Sequence, residues 1–474
     1  MALELTWTSS SDCVTSQIMR FTQTKFHFVG VGGIGMCGLA ELLHNMGAVV
    51  TGSDLAENAN TERLKQMGIQ VFQGHHENHV NGTDVVVYSS AVSKENPEIR
   101  KALSSKISLI PRAEALAEIM RLKRGIAVAG SHGKTTTTSM IASVFLSGKL
   151  EPTIAIGGRF DLIQSTARLG TGEWMVAEAD ESDGSFLKLA PEIAVITNID
   201  NDHLDYHKTF ARLQQAFVSF ATLIPFYGFV AICGDDPLVR TLFAEFPKQI
   251  FYYGFSREND FVLTNDGKNF LLCENGKSLG KFRPAIPGKH NALNAAAAFV
   301  AGLKVGIPFD TIRGAIEDFR GVDRRFHFRG ETNGIRFYDD YGHHPTEIRA
   351  TLQAFREKYP DRKITVLFQP HRYSRTETCW EQFLDAFNDC DRVFVTDVYA
   401  AGEQPLANID SERLAREIRH ADCTYAEKSS ALPELLANQL SPHSLFICLG
   451  AGDVWKTGVN MLARLSELAA VSLG

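Results

Sequence analysis

The sequence predicts an α/β protein of three domains, each built on a mainly parallel sheet flanked by helices. Three observations predict it. Short apolar runs that suit buried strands alternate with helical stretches along nearly all of the 474 residues. Two of those strands open directly onto glycine-rich turns, at 30–35 and at 130–133, and a helical stretch follows each turn. At the usual domain size, a chain of this length holds about three of them.

The first domain is expected over 1–124. The strand Phe26–Val29 leads into Gly30-Val31-Gly32-Gly33-Ile34-Gly35, which satisfies G-x-G-x-x-G. A helix over 36–45 is stopped by Gly47, and a second strand over 48–51 runs into Gly52-Ser53-Asp54. An acid about twenty residues beyond the glycines is where a dinucleotide site keeps its ribose contact, so the pattern alone reads as NAD binding. Further strands at 85–88 and 109–110 complete a small α/β domain.

The second domain is expected over 125–321. An apolar strand ends in Val128-Ala-Gly130-Ser131-His132-Gly133-Lys134-Thr135-Thr136. Glycines turn backbone N–H groups toward phosphate oxygens, the lysine neutralises the β/γ charge, and the Thr135 hydroxyl can ligate Mg²⁺. A helix over 137–146 adds its N-terminal dipole. Valine at 128 stands where the full phosphate-loop pattern has glycine, so the motif is a narrower variant. The runs 174–178 and 194–198 read as buried parallel strands that end in polar residues. The first ends in Glu178-Ala-Asp180-Glu181-Ser-Asp183, four carboxylates in six residues; a solvated loop is the common alternative, but Glu178 directly follows the strand and suits Mg²⁺. The second ends in Asn198-Ile-Asp200-Asn-Asp202-His203-Leu-Asp205, where His203 is either a loop residue or a second-metal ligand. Asn265-Asp-Gly267 and Asn275-Gly276 divide 261–282 into an inserted antiparallel meander. A helix then opens at Gly288-Lys-His-Asn291-Ala-Leu-Asn294, in which Asn294 reads first as an N-cap or a solvated helix residue.

The third domain, 322–474, returns to strands at 335–338, 363–368, 392–396 and 444–449 alternating with helices. It lacks the glycine fingerprint, although Gly450-Ala-Gly452-Asp453 makes a tight turn after the last strand. Arg372 and Arg375 follow a strand end three residues apart; such a pair either forks a carboxylate or is a solvated charge pair.

Composition excludes several classes. A hydrophobic content of 44%, a charged content of 22% and a net charge of −7 lack the basic excess of a non-specific nucleic-acid binder. No apolar run approaches membrane-span length, and Met1 to Arg20 has no secretory pattern, so a cytoplasmic protein without a membrane span is expected. Eight scattered cysteines without a C-x-x-C pair suit reduced thiols.

Taken in order, the short phosphate loop, Glu-Ala-Asp-Glu-Ser-Asp, Asn-x-x-x-Asp-His-x-Asp, His-Asn-x-x-Asn-Ala-Ala-Ala and Asp339-Asp340-Tyr341-Gly-His343-His-Pro-Thr-Glu347 resemble the ATP-dependent Mur ligases of bacterial peptidoglycan synthesis, specifically their alanine-adding branch. The resemblance runs from about Phe26 to about Val454. It implies a Rossmann-like UDP-binding domain, a central phosphate-loop ATPase domain and a Rossmann-like C-terminal domain. It also implies that ATP, UDP-N-acetylmuramate and L-alanine are the substrates, with Mg²⁺ as cofactor or Mn²⁺ in its place, in a monomer or homodimer.

The same resemblance replaces the NAD reading. Gly32, Gly33, Ile34, Gly35, Ser53, Asp54, Ser89, Ser90 and Arg112 are expected to hold the UDP-sugar. Gly130, Ser131, His132, Gly133, Lys134, Thr135, Thr136, Asn291, Asn294, Arg325 and Asp340 are expected at ATP. Thr135, Glu178 and His203 are expected at metal, and Tyr341, His343, Arg372 and Arg375 at the amino acid. Lys134 and His343 are the expected catalytic residues, His343 as a proton acceptor or relay. Many relatives carry a carbamylated lysine about fourteen residues beyond the Asp-His pair, where this chain has Phe217. A recycling ligase that adds an intact peptide is the near rival. An NAD-dependent oxidoreductase leaves the phosphate loop unexplained, and a nucleotide-gated binding protein leaves the family motifs unexplained.

Overall fold

A computed structural model describes residues 21–89, 91–267 and 269–471. The expected UDP contact Ser90, the segment 1–20 and its Cys13 lie outside the described residues. Three sheets organise the described residues. The residues cluster into two compact units, one taking in the chain up to Arg283 with Leu293–Phe319, the other Pro284–Ala292 with Arg320–Gly474.

The first sheet contains β1 (Lys25–Val29), β2 (Val49–Asp54), β3 (Gln70–Gln73), β4 (Val85–Tyr88) and β5 (Ser108–Pro111). All its pairings are parallel, in the order β3-β2-β1-β4-β5. The order reverses between β1 and β4, so a crevice opens beyond their carboxyl ends. The glycine loop follows β1 and Ser89 follows β4, which brings the two together although about 60 residues separate them. The helix after the loop is Ile34–Asn45, two residues longer at its start than expected, and β2 continues through Gly52-Ser53-Asp54 rather than stopping before it.

The second sheet has ten strands: β6 (Arg124–Ala129), β7 (Thr153–Phe160), β8 (Ser165–Arg168), β9 (Trp174–Glu178), β10 (Ile193–Ile196), β11 (Phe229–Cys233), β12 (Gln249–Gly254), β13 (Phe261–Asn265), β14 (Phe270–Glu274) and β15 (Lys277–Phe282). Their order is β15-β14-β13-β12-β11-β10-β6-β9-β7-β8. β6 lies between β10 and β9, pairs with both in parallel, and is fully buried from Ile126 to Ala129. Its carboxyl end carries the phosphate loop, so the two acidic strand ends necessarily flank that loop. The antiparallel meander β13–β15 forms as expected, as an extension of the sheet through a short parallel pairing with β12. The antiparallel hairpin β7–β8 was not expected, because its Gly157-Gly158 interrupts the strand pattern.

The second unit holds β16 (His327–Thr332), β17 (Ile335–Asp340), β18 (Ile364–Phe368), β19 (Arg392–Val395), β20 (Cys423–Tyr425) and β21 (Leu445–Leu449), in the order β16-β17-β21-β18-β19-β20. Only β16 is antiparallel. Strand β21 inserts between β17 and β18, so Gly450, the residues after Asp340 and the segment Gln369–Arg375 all emerge at one edge. No helix among the described residues is long and apolar enough to cross a membrane.

Candidate functional site

The phosphate loop is strapped from below. Gly133 adopts φ +81° and caps the helix Lys134–Ser147, and a Cβ there would lie 2.8 Å from Asn294 Oδ1. Asn294, in the second turn of the helix Lys289–Val305, therefore packs on the loop instead of capping a helix. Thr197 Oγ1 and Asn198 Nδ2 donate to the His132 carbonyl at 2.6 and 3.0 Å, and the His132 amide donates to Asn198 Oδ1 at 2.9 Å. His132 Nε2 is 2.9 Å from Asp200 Oδ2, and Ser131 Oγ accepts the Asp200 amide at 2.9 Å. Thr136 is buried within the helix.

Lys134 Nζ donates to the carbonyls of Gly130 (2.6 Å) and Ser131 (3.2 Å) and to Glu181 Oε1 (2.8 Å). Burial opposes its charge, but Glu181, Asp180 and Glu178 together outweigh that and hold its pKa above the ordinary value. Burial pushes Glu181 up to about 7 against the pull of Lys134. For Asp180, burial is likewise outweighed, by Lys134, Ser182 and Arg112, and its pKa is lowered. Thr135 Oγ1 donates to Glu178 Oε1 at 3.0 Å, and the Gly157 amide donates to Glu178 Oε2 at 2.8 Å. His203, at φ +57°, places Nε2 3.5 Å from Glu181 Oε1 and from Asp202 Oδ2. Sequence reasoning gave Glu181 no role of its own; its Oε2 is buried without a hydrogen-bond partner. Phe217 lies fully buried against Phe186, in the core rather than among the acidic groups.

The glycine loop of the first sheet is fixed by its acid. Gly32 N donates to Asp54 Oδ2 at 2.8 Å, and Asn60 Nδ2 donates to the Gly32 carbonyl at 2.8 Å. A Cβ at Gly32 would lie 2.6 Å from Asn58 Nδ2 and 2.8 Å from Asp54 Oδ2, so any larger residue would displace the side chains that hold the loop. Gly33 caps the following helix, Ile34 is exposed, and Ser89 is half-buried. Ser53 is turned inward. Its Oγ donates to Glu98 Oε2 at 2.6 Å, and its carbonyl accepts the Gly30 and Val31 amides. Glu98 is fully buried, with His75 Nδ1 at 3.1 Å and His79 Nδ1 at 2.7 Å. Burial opposes ionisation, but His27, Ser53 and His79 bring its pKa down to about 2. This network lacked any sequence signal beyond a histidine-rich stretch at 75–79.

Arg112 extends from the first domain over Gly35 and reaches 3.8 Å from Asp180 Oδ2. A cleft open to solvent is lined by Ile34, Gly35, Arg112, Gly157, Glu178 and Asp180, among others. The glycine loop of the first sheet and the acidic edge of the phosphate loop thus face one cleft.

In the second unit, Asp340 is buried and its carboxylate is used locally. Oδ2 accepts the Phe326 amide and Oδ1 the Gly342 amide, each at 2.8 Å, and burial raises its pKa. It thereby holds the loop that carries Arg325, whose guanidinium lies 4.9 Å from the Tyr341 ring centroid and 3.6 Å from Glu347 Oε1. Asn291 Nδ2 donates to the Pro287 carbonyl at 2.7 Å. His343 Nδ1 donates to the Tyr341 carbonyl at 3.0 Å, which leaves Nε2 as the acceptor. Burial, and then Arg375 and His371, push His343 down to about 3 against Glu347. The ring is therefore neutral and a weak base. Arg375 Nη1 lies 3.5 Å from His371 Nδ1, and both arginines are half-buried rather than splayed into solvent.

Three family models match in sequence order: the catalytic domain of the Mur ligase family over 25–124, the Mur ligase middle domain over 128–302, and the Mur ligase glutamate ligase domain over 324–452. The UDP-N-acetylmuramate–L-alanine ligase of Bdellovibrio bacteriovorus is 58% identical, covering 94% of this chain and 100% of its own. The enzyme of that name from Geobacter sp. strain M21 is 47% identical over 93% of this chain and 97% of its own. Among solved structures, the UDP-N-acetylmuramate–alanine ligase of Thermotoga maritima matches with a TM-score of 0.79 at 30% identity, over 94% of this chain and 100% of that one. A murein peptide ligase from Psychrobacter arcticus shares the fold at a TM-score of 0.70 and 22% identity, over 93% of this chain and 98% of that one.

Proposed function

The chain belongs to the Mur ligase family, and we propose that it joins L-alanine to the carboxylate of UDP-N-acetylmuramate at the expense of ATP, releasing ADP and phosphate. The observation that carries this reading is the shared cleft, where Arg112 and Gly35 of the sugar-nucleotide side meet Glu178 and Asp180 beside the phosphate loop. A carboxylate does not acylate an amine at neutral pH, so it has to be activated. The muramate carboxylate oxygen attacks the γ-phosphorus, the bond to the ADP oxygen breaks, and an acyl phosphate forms. The neutral amine of alanine then attacks the acyl carbon, phosphate leaves, and the amine loses its proton.

The chain's part is positioning and charge neutralisation. Lys134, now bonded to Glu181, exchanges that carboxylate for the β/γ-phosphates, while the amides of Gly133, Lys134 and Thr135 face phosphate oxygens, those of Ser131 and His132 being spent on Asn198. Asn291, Asn294 and Arg325 support the nucleotide, with Asp340 acting through the loop it anchors. Asp54 fixes the UDP loop through Gly32, and Ser53 supports it from beneath. Arg372 and Arg375 take the carboxylate of alanine. Tyr341 and the neutral His343 orient its amine, His343 by accepting through Nε2 rather than as a strong base.

The donors fit Mg²⁺. Thr135 hydroxyl and Glu178 carboxylate are hard oxygen ligands already side by side, and Glu178, Asp180 and Glu181, only partly offset by Lys134 and Arg112, would repel ATP phosphates without a divalent cation. Thr135 and Glu178 would hold one ion and His203 a second; the metal supplies Lewis-acid neutralisation of phosphoryl charge. The division of labour favours domains at 1–124, 125–321 and 322–474. Phosphate release tests the whole reading: it should require UDP-N-acetylmuramate and L-alanine together. Release driven by an intact peptide but not by alanine, or turnover of NAD, would overturn it.

A further inference from the structure

The tight turn Gly450-Ala-Gly452-Asp453 and the loop after β19 have no part in the chemistry above, yet the loop pairs with the segment that carries Arg372 and the turn packs against Tyr399 of that loop. Tyr399 pairs its backbone directly with the segment that carries Arg372. Its amide donates to the Pro370 carbonyl at 2.8 Å, and its carbonyl accepts the Arg372 amide at 2.9 Å, forming an isolated parallel bridge at His371. Four residues on, Glu403 accepts the Ser374 amide at 3.0 Å and the Ser374 hydroxyl at 2.6 Å, which fastens the same loop to the helix of Arg375. Tyr399 therefore moves with Arg372, not independently of it.

The ring, although 38% of the residue surface is exposed, is held between two neighbours. It lies nearly parallel to His371, with an interplanar angle of 9° and centroids 5.6 Å apart. His371 in turn meets His343 at 5.6 Å, and His343 meets Tyr341 at 5.4 Å, so one row of rings borders the arginine pair. Behind Tyr399 stands Gly452, where a Cβ would lie 2.6 Å from the tyrosine Cγ and 2.3 Å from Gln369 Oε1. The backbone of Gly452 thus occupies the space into which the ring would have to retreat. Arg324 Nη2 fixes that backbone by donating to the carbonyls of Gly450 (2.7 Å) and Gly452 (2.9 Å).

We propose that Tyr399, stacked on His371 and backed by Gly452, is the wall that limits the incoming amino acid to a methyl side chain. The inference rests on the reading of Arg372 and Arg375 as the carboxylate grip, because that grip fixes where the side chain points. A wall stacked on His371 and backed by Gly452 rejects an added methylene, and a pocket of this kind discriminates about ten- to two-hundredfold per methylene.

The test compares kcat/KM for L-alanine, L-2-aminobutyrate and glycine in the full-length enzyme and two variants. Tyr399→Ala should raise the aminobutyrate-to-alanine ratio about tenfold or more. Tyr399→Trp should instead raise the glycine-to-alanine ratio, since a larger ring shortens the pocket. A ratio that stays at its starting value in either active variant overturns the proposal, and loss of overall activity alone cannot mimic the opposed shifts. The underlying grip fails separately: Arg372→Ala with an unchanged KM for L-alanine would refute it whatever Tyr399 does.

Discussion

Removing the carboxylate of Asp54 should weaken the hold on UDP-N-acetylmuramate without touching ATP. Asp54 Oδ2 accepts the Gly32 amide at 2.8 Å, a charge-assisted bond to the residue at the centre of the glycine loop. Such a bond contributes about 1.5–3 kcal/mol. At 1.4 kcal/mol per decade, Asp54→Ala should raise the KM for UDP-N-acetylmuramate about ten- to a hundredfold. The Gly32 carbonyl keeps its bond from Asn60, so the loop loses its preferred geometry and the domain stays folded. Asp54→Asn retains an oxygen acceptor without the charge and should fall between the two, because a neutral hydrogen bond is worth about 0.5–1.5 kcal/mol. Phosphate release at saturating ATP and L-alanine gives the KM, and calorimetric titration with UDP-N-acetylmuramate gives the affinity directly. An unchanged KM, or an equal rise in the KM for ATP, would refute the assignment; so would tight NAD binding by the unmodified protein.

Lys134→Ala should lower turnover about a hundredfold or more, the scale of losing one group that stabilises transition-state charge, while calorimetric affinity for UDP-N-acetylmuramate is retained. Arg372→Ala and Arg375→Ala should each raise the KM for L-alanine about ten- to a hundredfold, with the KM for ATP unmoved; equal losses for both substrates would point to a folding role. Glu98 titrates at about 2 in the folded chain against 4.5 ordinarily, so it stabilises the fold above about pH 4.5, and that stabilisation disappears as pH falls toward 2. Denaturant titrations should therefore find wild type about 3 kcal/mol more stable than Glu98→Gln at neutral pH. The gap should close in acid, and one that is the same at pH 7 and pH 3 would contradict the network.

The phosphate loop, the glycine fingerprint and the acidic strand ends were legible because each is written in consecutive residues whose backbone and side-chain chemistry act together. The strand pattern was readable for the same reason: β6, β9 and β10 are buried on both faces and appear as short unbroken apolar runs. The hairpin β7–β8 and strand β16 escaped notice, since glycines and polar residues break their alternation and only pairing with a neighbour makes them strands.

By itself, the sequence determined the fold class and the family to which the chain belongs. The roles of particular polar groups were decided only in three dimensions. Strand order set β6 between the two acidic strand ends and so brought Thr135 to Glu178 and Lys134 to Glu181. Burial lowered His343 to about 3 and made it a neutral acceptor, turned Ser53 toward Glu98, and committed Asp340 to the loop of Arg325. The physical reason is that a motif specifies which groups are available in a stretch of chain. Which of them face a cavity, lose their water or spend their hydrogen bonds on one another depends on residues that meet only when distant strands pair.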